Sequence, residues 1–163
     1  MIPLRSTQTS ILLDFDGVIN ADRAHRVWDH ARRRTTFYAN GMAWTITYSP
    51  KALNALRNLR AQYGCKILMS STWCTEPLDQ FEDIGLHFDD KAFLGCLSAD
   101  VAKFEAFNSI SRSGFPTIWV DDSSIPSHLE NTNTTLLIRP DDRYGITPEH
   151  IEEMEAFLSR VSC

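Results

Sequence analysis

Apolar residues in this chain come in short runs that break off in polar clusters, and longer stretches between them repeat at helical spacing. Ser10–Phe15, Lys66–Met69, Thr117–Val120 and Thr134–Ile138 are short, mainly apolar or β-branched runs of four to six residues, the pattern of strands buried on both faces. Between them, Ser49-Pro50 opens a helix that Gly64 stops, with Leu53, Leu56, Leu59 and Tyr63 on one face. A short helix is expected over Thr75–Ile84, ending at Gly85, and a longer one from Ser98 or Asp100 to about Arg112, stopped by Gly114. Ser123–Glu130 is expected to turn back through a short helical segment. Thr147-Pro148 caps a last helix whose buried side carries Ile151, Met154, Phe157, Leu158 and Val161. Leu86–Leu97 has no clear period beyond a short strand near His87–Asp90. Strands alternating with helices predict an α/β fold with a parallel central sheet.

Residues 20–48 interrupt that alternation. Ala21–Arg34 is polar and basic, with room for a short helix, and it ends in Arg32-Arg33-Arg34. Thr35–Ala39 and Ala43–Tyr48 are β-branched and aromatic, and they flank Asn40-Gly41. Asn-Gly between two such runs specifies a hairpin, because a type I′ turn requires positive φ at both central residues. The expectation is a β-hairpin flap inserted directly after the first strand.

Composition sets bounds on this picture. At 163 residues and 43% hydrophobic the chain is sized for one domain, 1–163, with 20–48 as an insertion within it. A net charge of -5 argues against a global affinity for nucleic acid or anionic membranes, although a local basic patch such as Arg32–Arg34 is compatible with it. Cys65, Cys74, Cys96 and Cys163 form no C-x-x-C pair and no zinc-ligand spacing, so they are expected to be reduced thiols. Met1–Gln8 is expected to be a loosely held lead-in, without the features of a signal peptide. No apolar run approaches the ~18 residues of a membrane span. A soluble, cytoplasmic protein is expected.

The chemistry sits at the ends of the strands. Asp14 and Asp16 close the first, Ser70-Ser71-Thr72 follow the second, and Asp121-Asp122 follow the third, with Lys103 between the last two sets. Parallel strands share a direction, so these ends gather along one edge of the sheet, where open α/β folds bind their ligands. Gly17 allows the backbone to turn away from the carboxylates.

That arrangement resembles the haloacid dehalogenase superfamily motif by motif. Leu13-Asp14-Phe15-Asp16-Gly17-Val18 is similar to its first motif, Ile67-Leu68-Met69-Ser70 to its second, Lys103 to its third and Trp119-Val120-Asp121-Asp122 to its fourth. Gly145-Ile146-Thr147 is similar to a stretch of many of its small phosphatases. The resemblance implies a Rossmann-like three-layer α/β/α sandwich with the hairpin as a small cap. It also implies a Mg²⁺-dependent phosphatase, since members that dehalogenate carbon substrates lack the second acid, here Asp16. Asp14 then suits a nucleophile that forms an aspartyl-phosphate, and Asp16 the acid and base that protonates the leaving group and activates water. Asp14, the Asp16 carbonyl, Asp121 and Asp122 would hold Mg²⁺, and an oxygen-ligand set of this kind also tolerates Mn²⁺ or Co²⁺. Ser70, or less favoured Ser71, would bind a phosphoryl oxygen, Lys103 would neutralise another, and the amides of Phe15, Asp16 and Gly17 would complete the anion cradle.

Substrate is less sharply defined. A nucleotide or small phosphometabolite is the expected substrate; the alternative is 3′-phosphatase action on nucleic-acid ends, implied because the Ser-Ser-Thr-Trp second motif and the small size resemble the phosphatase-like domains of RNA-repair proteins. Trp73 is a candidate stacking platform and Arg32, Arg33 and Arg34 a candidate grip on a polyanion. A non-catalytic domain that merely holds a nucleotide or protein is the rival, and the intact set of acids argues against it. No C-x5-R signature supports a cysteine phosphatase. In two-component receivers the lysine follows the last acid, whereas Lys103 precedes Asp121.

Overall fold

The structure, a computed structural model, describes residues 8–95 and 98–162. The lead-in before Gln8, and Cys96 and Cys163, lie outside the described residues. Five parallel strands make the central sheet: β1 (Ser10–Leu13), β4 (Lys66–Met69), β5 (Asp90–Lys91), β6 (Thr117–Val120) and β7 (Thr135–Ile138), in the order β5-β4-β1-β6-β7. β2 (Arg33–Ala39) and β3 (Met42–Tyr48) form the separate antiparallel hairpin.

Period two explains the layers. Ile11, Leu13, Ile118, Val120, Leu136 and Ile138 face one side, where they pack with α2 (Pro50–Tyr63) and α5 (Pro148–Val161). Leu12, Trp119 and Leu137 face the other and meet Phe107 of α4 (Ala99–Arg112), with Trp119 stacked on the Phe107 ring at 4.9 Å. Burial on both faces is why these strands read as unbroken apolar runs. The fold is the expected Rossmann-like α/β sandwich with a small hairpin as cap.

The hairpin is anchored by Phe37, Ile46 and Tyr48, all buried in the core. Phe37 is buried and stacks on Phe15 at 5.7 Å, with the edges of Trp73 and Phe81 against it. On the outer side, Gln80 of α3 (Asp79–Asp83) accepts from the Tyr38 amide and donates to the Tyr38 carbonyl, pairing part of the β2 edge.

Some local expectations change. The helix expected over Thr75–Ile84 is two pieces, a 3-10 turn over Thr72–Thr75 and then α3, because Pro77 forces Glu76 into extended backbone. The first strand ends at Leu13 rather than Phe15, since the Phe15 carbonyl turns to accept from the amides of Ile19 and Asn20. No helix forms over Ser123–Glu130 among the described residues; Asp121 Oδ1 accepts from the amides of Ser123 and Ser124 and holds a turn there instead. The basic segment keeps only a four-residue helix, α1 (Ala24–Val27), and Asp29 and His30 follow it at positive φ. Cys65 and Cys74 are buried free thiols. No helix among the described residues is long and apolar enough to cross a membrane.

Asp89 ties α2 to β4. Its carboxylate accepts from Arg60 Nε and Nη2 at 3.1 and 2.6 Å and from the Ile67 amide at 2.9 Å. The Arg60 hydrogen bond leads in holding its pKa down at about 2, below the ordinary 3.8. A depressed carboxylate contributes stability above pH ~4 that disappears as pH falls through about 2. The Arg60 side chain is 39% exposed, which screens the pair. Asp89→Asn is therefore expected to lose about 1–2 kcal/mol at pH 7 in urea denaturation, and little at pH 2. A loss of the same size at both pH values would rule out the ionised pair as its source.

Candidate active site

Three strand-end acids converge. Ligand oxygens of Asp14, Asp121 and Asp122 all lie within 4.8 Å of one another, and Asp14 and Asp121 are buried. Lys103, only 4% exposed, reaches across from α4. Its ammonium donates to Asp14 Oδ2 at 2.8 Å, to Asp121 Oδ2 at 2.7 Å and to Ser124 Oγ at 3.2 Å. All three of its protons are thus used, bracing the end of β1 to the end of β6. Ser124 Oγ in turn donates to Asp100 Oδ1 at 2.6 Å.

One ammonium does not balance three carboxylates. Burial, and then the charge of Asp121, push the Asp14 carboxyl up to about 7 despite Lys103. Burial and Asp121 also raise Asp122. Burial opposes the charge on Lys103, but Asp14 and Asp121 outweigh it and hold the ammonium above its ordinary value. A cluster of oxygen donors with uncompensated negative charge fits a hard divalent cation.

Asp16 points elsewhere. Its Oδ2 accepts from Trp73 Nε1 at 2.9 Å and its Oδ1 from Asn20 Nδ2 at 2.7 Å. Asn20 Oδ1 accepts from the Thr47 amide, so the hairpin backbone is linked to Asp16 through a single side chain. Gly17 has φ +74°, and a Cβ there would lie 2.6 Å from Asp122 Cγ, so only glycine permits Asp122 to approach. Gly145 works similarly from the opposite loop: a Cβ would stand 2.3 Å from the Val18 carbonyl, which accepts from the Ile146 amide.

A cavity of about 400 Å³ opens over this floor, lined by Asp14, Asp16, Lys103, Asp122 and Ser124 among others. A family model, the HAD domain in Swiss Army Knife RNA repair proteins, matches residues 10–151, a span that includes every one of these acids and Lys103. The chain belongs to that family. No curated protein and no solved structure matches it. Membership makes this HAD domain a hydrolase of the phosphatase type at the level of the superfamily, whose domains generally use Mg²⁺.

The remaining sequence candidates are distributed unevenly around the HAD site. Ser70 Oγ is fully buried and has no hydrogen-bond partner among the described residues, while Ser71 Oγ accepts from the Trp73 amide and caps the 3-10 turn. Thr72 is the member of the hydroxyl run that lines the cavity. Trp73 is buried with its indole N–H on Asp16. Two of the three expected cradle amides are occupied, Phe15 N–H by Asp14 Oδ1 and Gly17 N–H by the Asn20 carbonyl, because the chain folds back tightly after β1. Arg32, Arg33 and Arg34 are exposed at the open end of the hairpin, where Arg33 pairs with Tyr48, and they do not line the acid cavity.

Sequence reasoning gave Thr72 no role beyond its place in the hydroxyl run, and it missed Asp100, Ser124 and Asn20. Two left a signal. Asp100 lies three residues before Lys103, one helical turn away, and Ser124 directly extends the Asp-Asp-Ser run after β6.

Proposed function

We propose that this protein is a Mg²⁺-dependent phosphomonoesterase that removes the 3′-phosphate from an RNA end through an aspartyl-phosphate intermediate. The observation that carries the reading is the Asp14 carboxylate, buried and braced by Lys103, with Asp16 beside it in the same cavity. The RNA-repair family and the small hairpin cap, which leaves room for a bulky chain, support a nucleic-acid end over a free metabolite.

An Asp14 oxygen attacks phosphorus as the bond to the ribose oxygen breaks, and Asp16 gives its proton to the departing alkoxide. Asp16, now a carboxylate, takes a proton from water, whose oxygen attacks the phosphoryl group and releases inorganic phosphate and free Asp14. Lys103 holds Asp14 at a fixed angle, which suits in-line attack. Trp73 and Asn20 do the same for Asp16. Held by the carboxylates of Asp14, Asp121 and Asp122 and the Asp16 carbonyl, Mg²⁺ would neutralise the charge that builds on the transferring phosphoryl oxygens. Ser70 Oγ, or Thr72 at the cavity wall, would donate to one of those oxygens.

The test compares a 3′-phosphorylated oligoribonucleotide, a mononucleotide, a sugar phosphate and an aryl phosphate, with Mg²⁺ and with EDTA. Hydrolysis is expected to vanish in EDTA and kcat/KM to fall in that order from the oligonucleotide to the sugar phosphate. A preference for the sugar phosphate would make this a metabolite phosphatase, and no hydrolysis of any substrate over a broad pH range would favour a binding domain.

A further inference from the structure

Next to the acid cavity lies a second one of about 160 Å³, between the tip of the hairpin and the 3-10 turn. The two share Asp16 and Thr72. Residues directly opposite in an antiparallel pair lie on the same face, and on this hairpin Thr35↔Ile46, Phe37↔Trp44 and Ala39↔Met42 make up one face. Ile46 and Phe37 are buried in the core. The same face then continues past the core edge, where Trp44 is 47% exposed and Met42 57% exposed. Trp44 and Ala39 line the small cavity opposite Trp73. Apolar surface of Trp44 and Met42 is therefore left open on the face that continues from the core, and Trp44 presents it to the cavity.

The rest of the lining narrows the ligand. Besides the shared Asp16 and Thr72, Asn40, Thr75 and Glu76 supply polar groups, and none of the residues lining this cavity is basic. Glu76 and Asp16 repel a second phosphate, while a carboxylate and an amide accept from the amino and ring N–H groups of a planar heterocycle. The cavity is well below the ~300 Å³ of a drug-sized site, and suits one flat ring system.

From this we infer that the Trp44 cavity is a nucleobase subsite, in which the base of the terminal nucleotide stacks on Trp44 while its phosphate lies over Asp14. This rests on the phosphatase reading for where the phosphate goes. Stacking of a base on an aromatic side chain tolerates sequence, so the protein would require a base at the end without demanding a particular one.

Binding is measured by calorimetry with Mg²⁺ on the Asp14→Asn protein, so that ligand is not consumed, using adenosine 3′-phosphate and ribose 3-phosphate. The nucleotide is expected to bind roughly tenfold tighter or better. Adding Trp44→Ala should bring the ratio close to one, and Trp44→Phe should restore most of it. Equal affinity for the two ligands, or a ratio that survives Trp44→Ala, overturns the inference. Phosphotyrosine binding as tightly as the nucleotide overturns the assignment to a base. Wild-type protein that hydrolyses neither ligand, with the Trp44-dependent ratio intact, supports the base subsite and counts against the phosphatase reading alone.

Discussion

Exchanging Asp14 for asparagine is expected to reduce phosphate release at least ~10,000-fold and to weaken Mg²⁺ binding with it. Both effects follow from the proposed mechanism, in which Asp14 supplies the attacking oxygen while its carboxylate also lies in the cluster with Asp121 and Asp122. Asp16→Ala separates the two. Its carboxyl is turned toward Trp73 and Asn20 and has no part in the cluster, so removing it takes away the proposed proton donor and leaves the clustered carboxylates in place. Turnover should fall roughly 100- to 10,000-fold while Mg²⁺ affinity stays within about a factor of three. Single-turnover hydrolysis and calorimetric titration of the metal into each variant make the comparison. Equal loss of metal affinity in Asp14→Asn and Asp16→Ala would sink this division of labour, and a turnover-competent Asp14→Asn would sink the nucleophile.

Why the strand-end acids were legible in the sequence, and several of their partners were not, comes down to what fixes each side chain. Asp14, Asp121 and Asp122 follow apolar runs whose burial on both faces is written in the residue types, and parallel strands place their ends together. Once the strands are found, the cluster follows. The hairpin is equally local, since Asn40-Gly41 sets its register. Trp73 on Asp16, by contrast, is a contact across 57 residues, made by a 3-10 turn whose extent depends on Pro77 and on Ser71 as its cap. The position of Thr72 at the cavity wall depends on that same turn. Arg32–Arg34 is the opposite case. Its charge is conspicuous, but the register puts Arg33 opposite Tyr48, six residues along β3 from Met42 at the tip. The exposed ring near the acids is Trp44, which an alternating strand pattern alone does not distinguish from a core residue.

Lys103→Met is expected to give a large stability effect, and one that depends on metal. The side chains have similar length, so little volume is lost, but two buried carboxylates lose the ammonium at 2.8 and 2.7 Å that offsets them. Breaking a buried pair from one side costs ~3–5 kcal/mol, because the remaining charge is neither paired nor hydrated. For a domain of this length that lowers Tm by roughly 10 °C. In EDTA the full deficit should appear at pH 8. It should shrink as pH falls, because Asp14, already pushed up to about 7 with Lys103 present, rises further without it and takes up a proton that removes the repulsion. Millimolar Mg²⁺ should recover much of the deficit without recovering turnover, since the cation restores charge balance but does not hold Asp14 at the angle set by Lys103. Thermal melts of wild type and variant at pH 6 and 8, each with EDTA and with Mg²⁺, separate these contributions. A deficit that is the same in all four conditions would mean that Lys103 contributes through packing alone, and a variant as stable as wild type in EDTA at pH 8 would mean that the acids do not repel one another in the folded state.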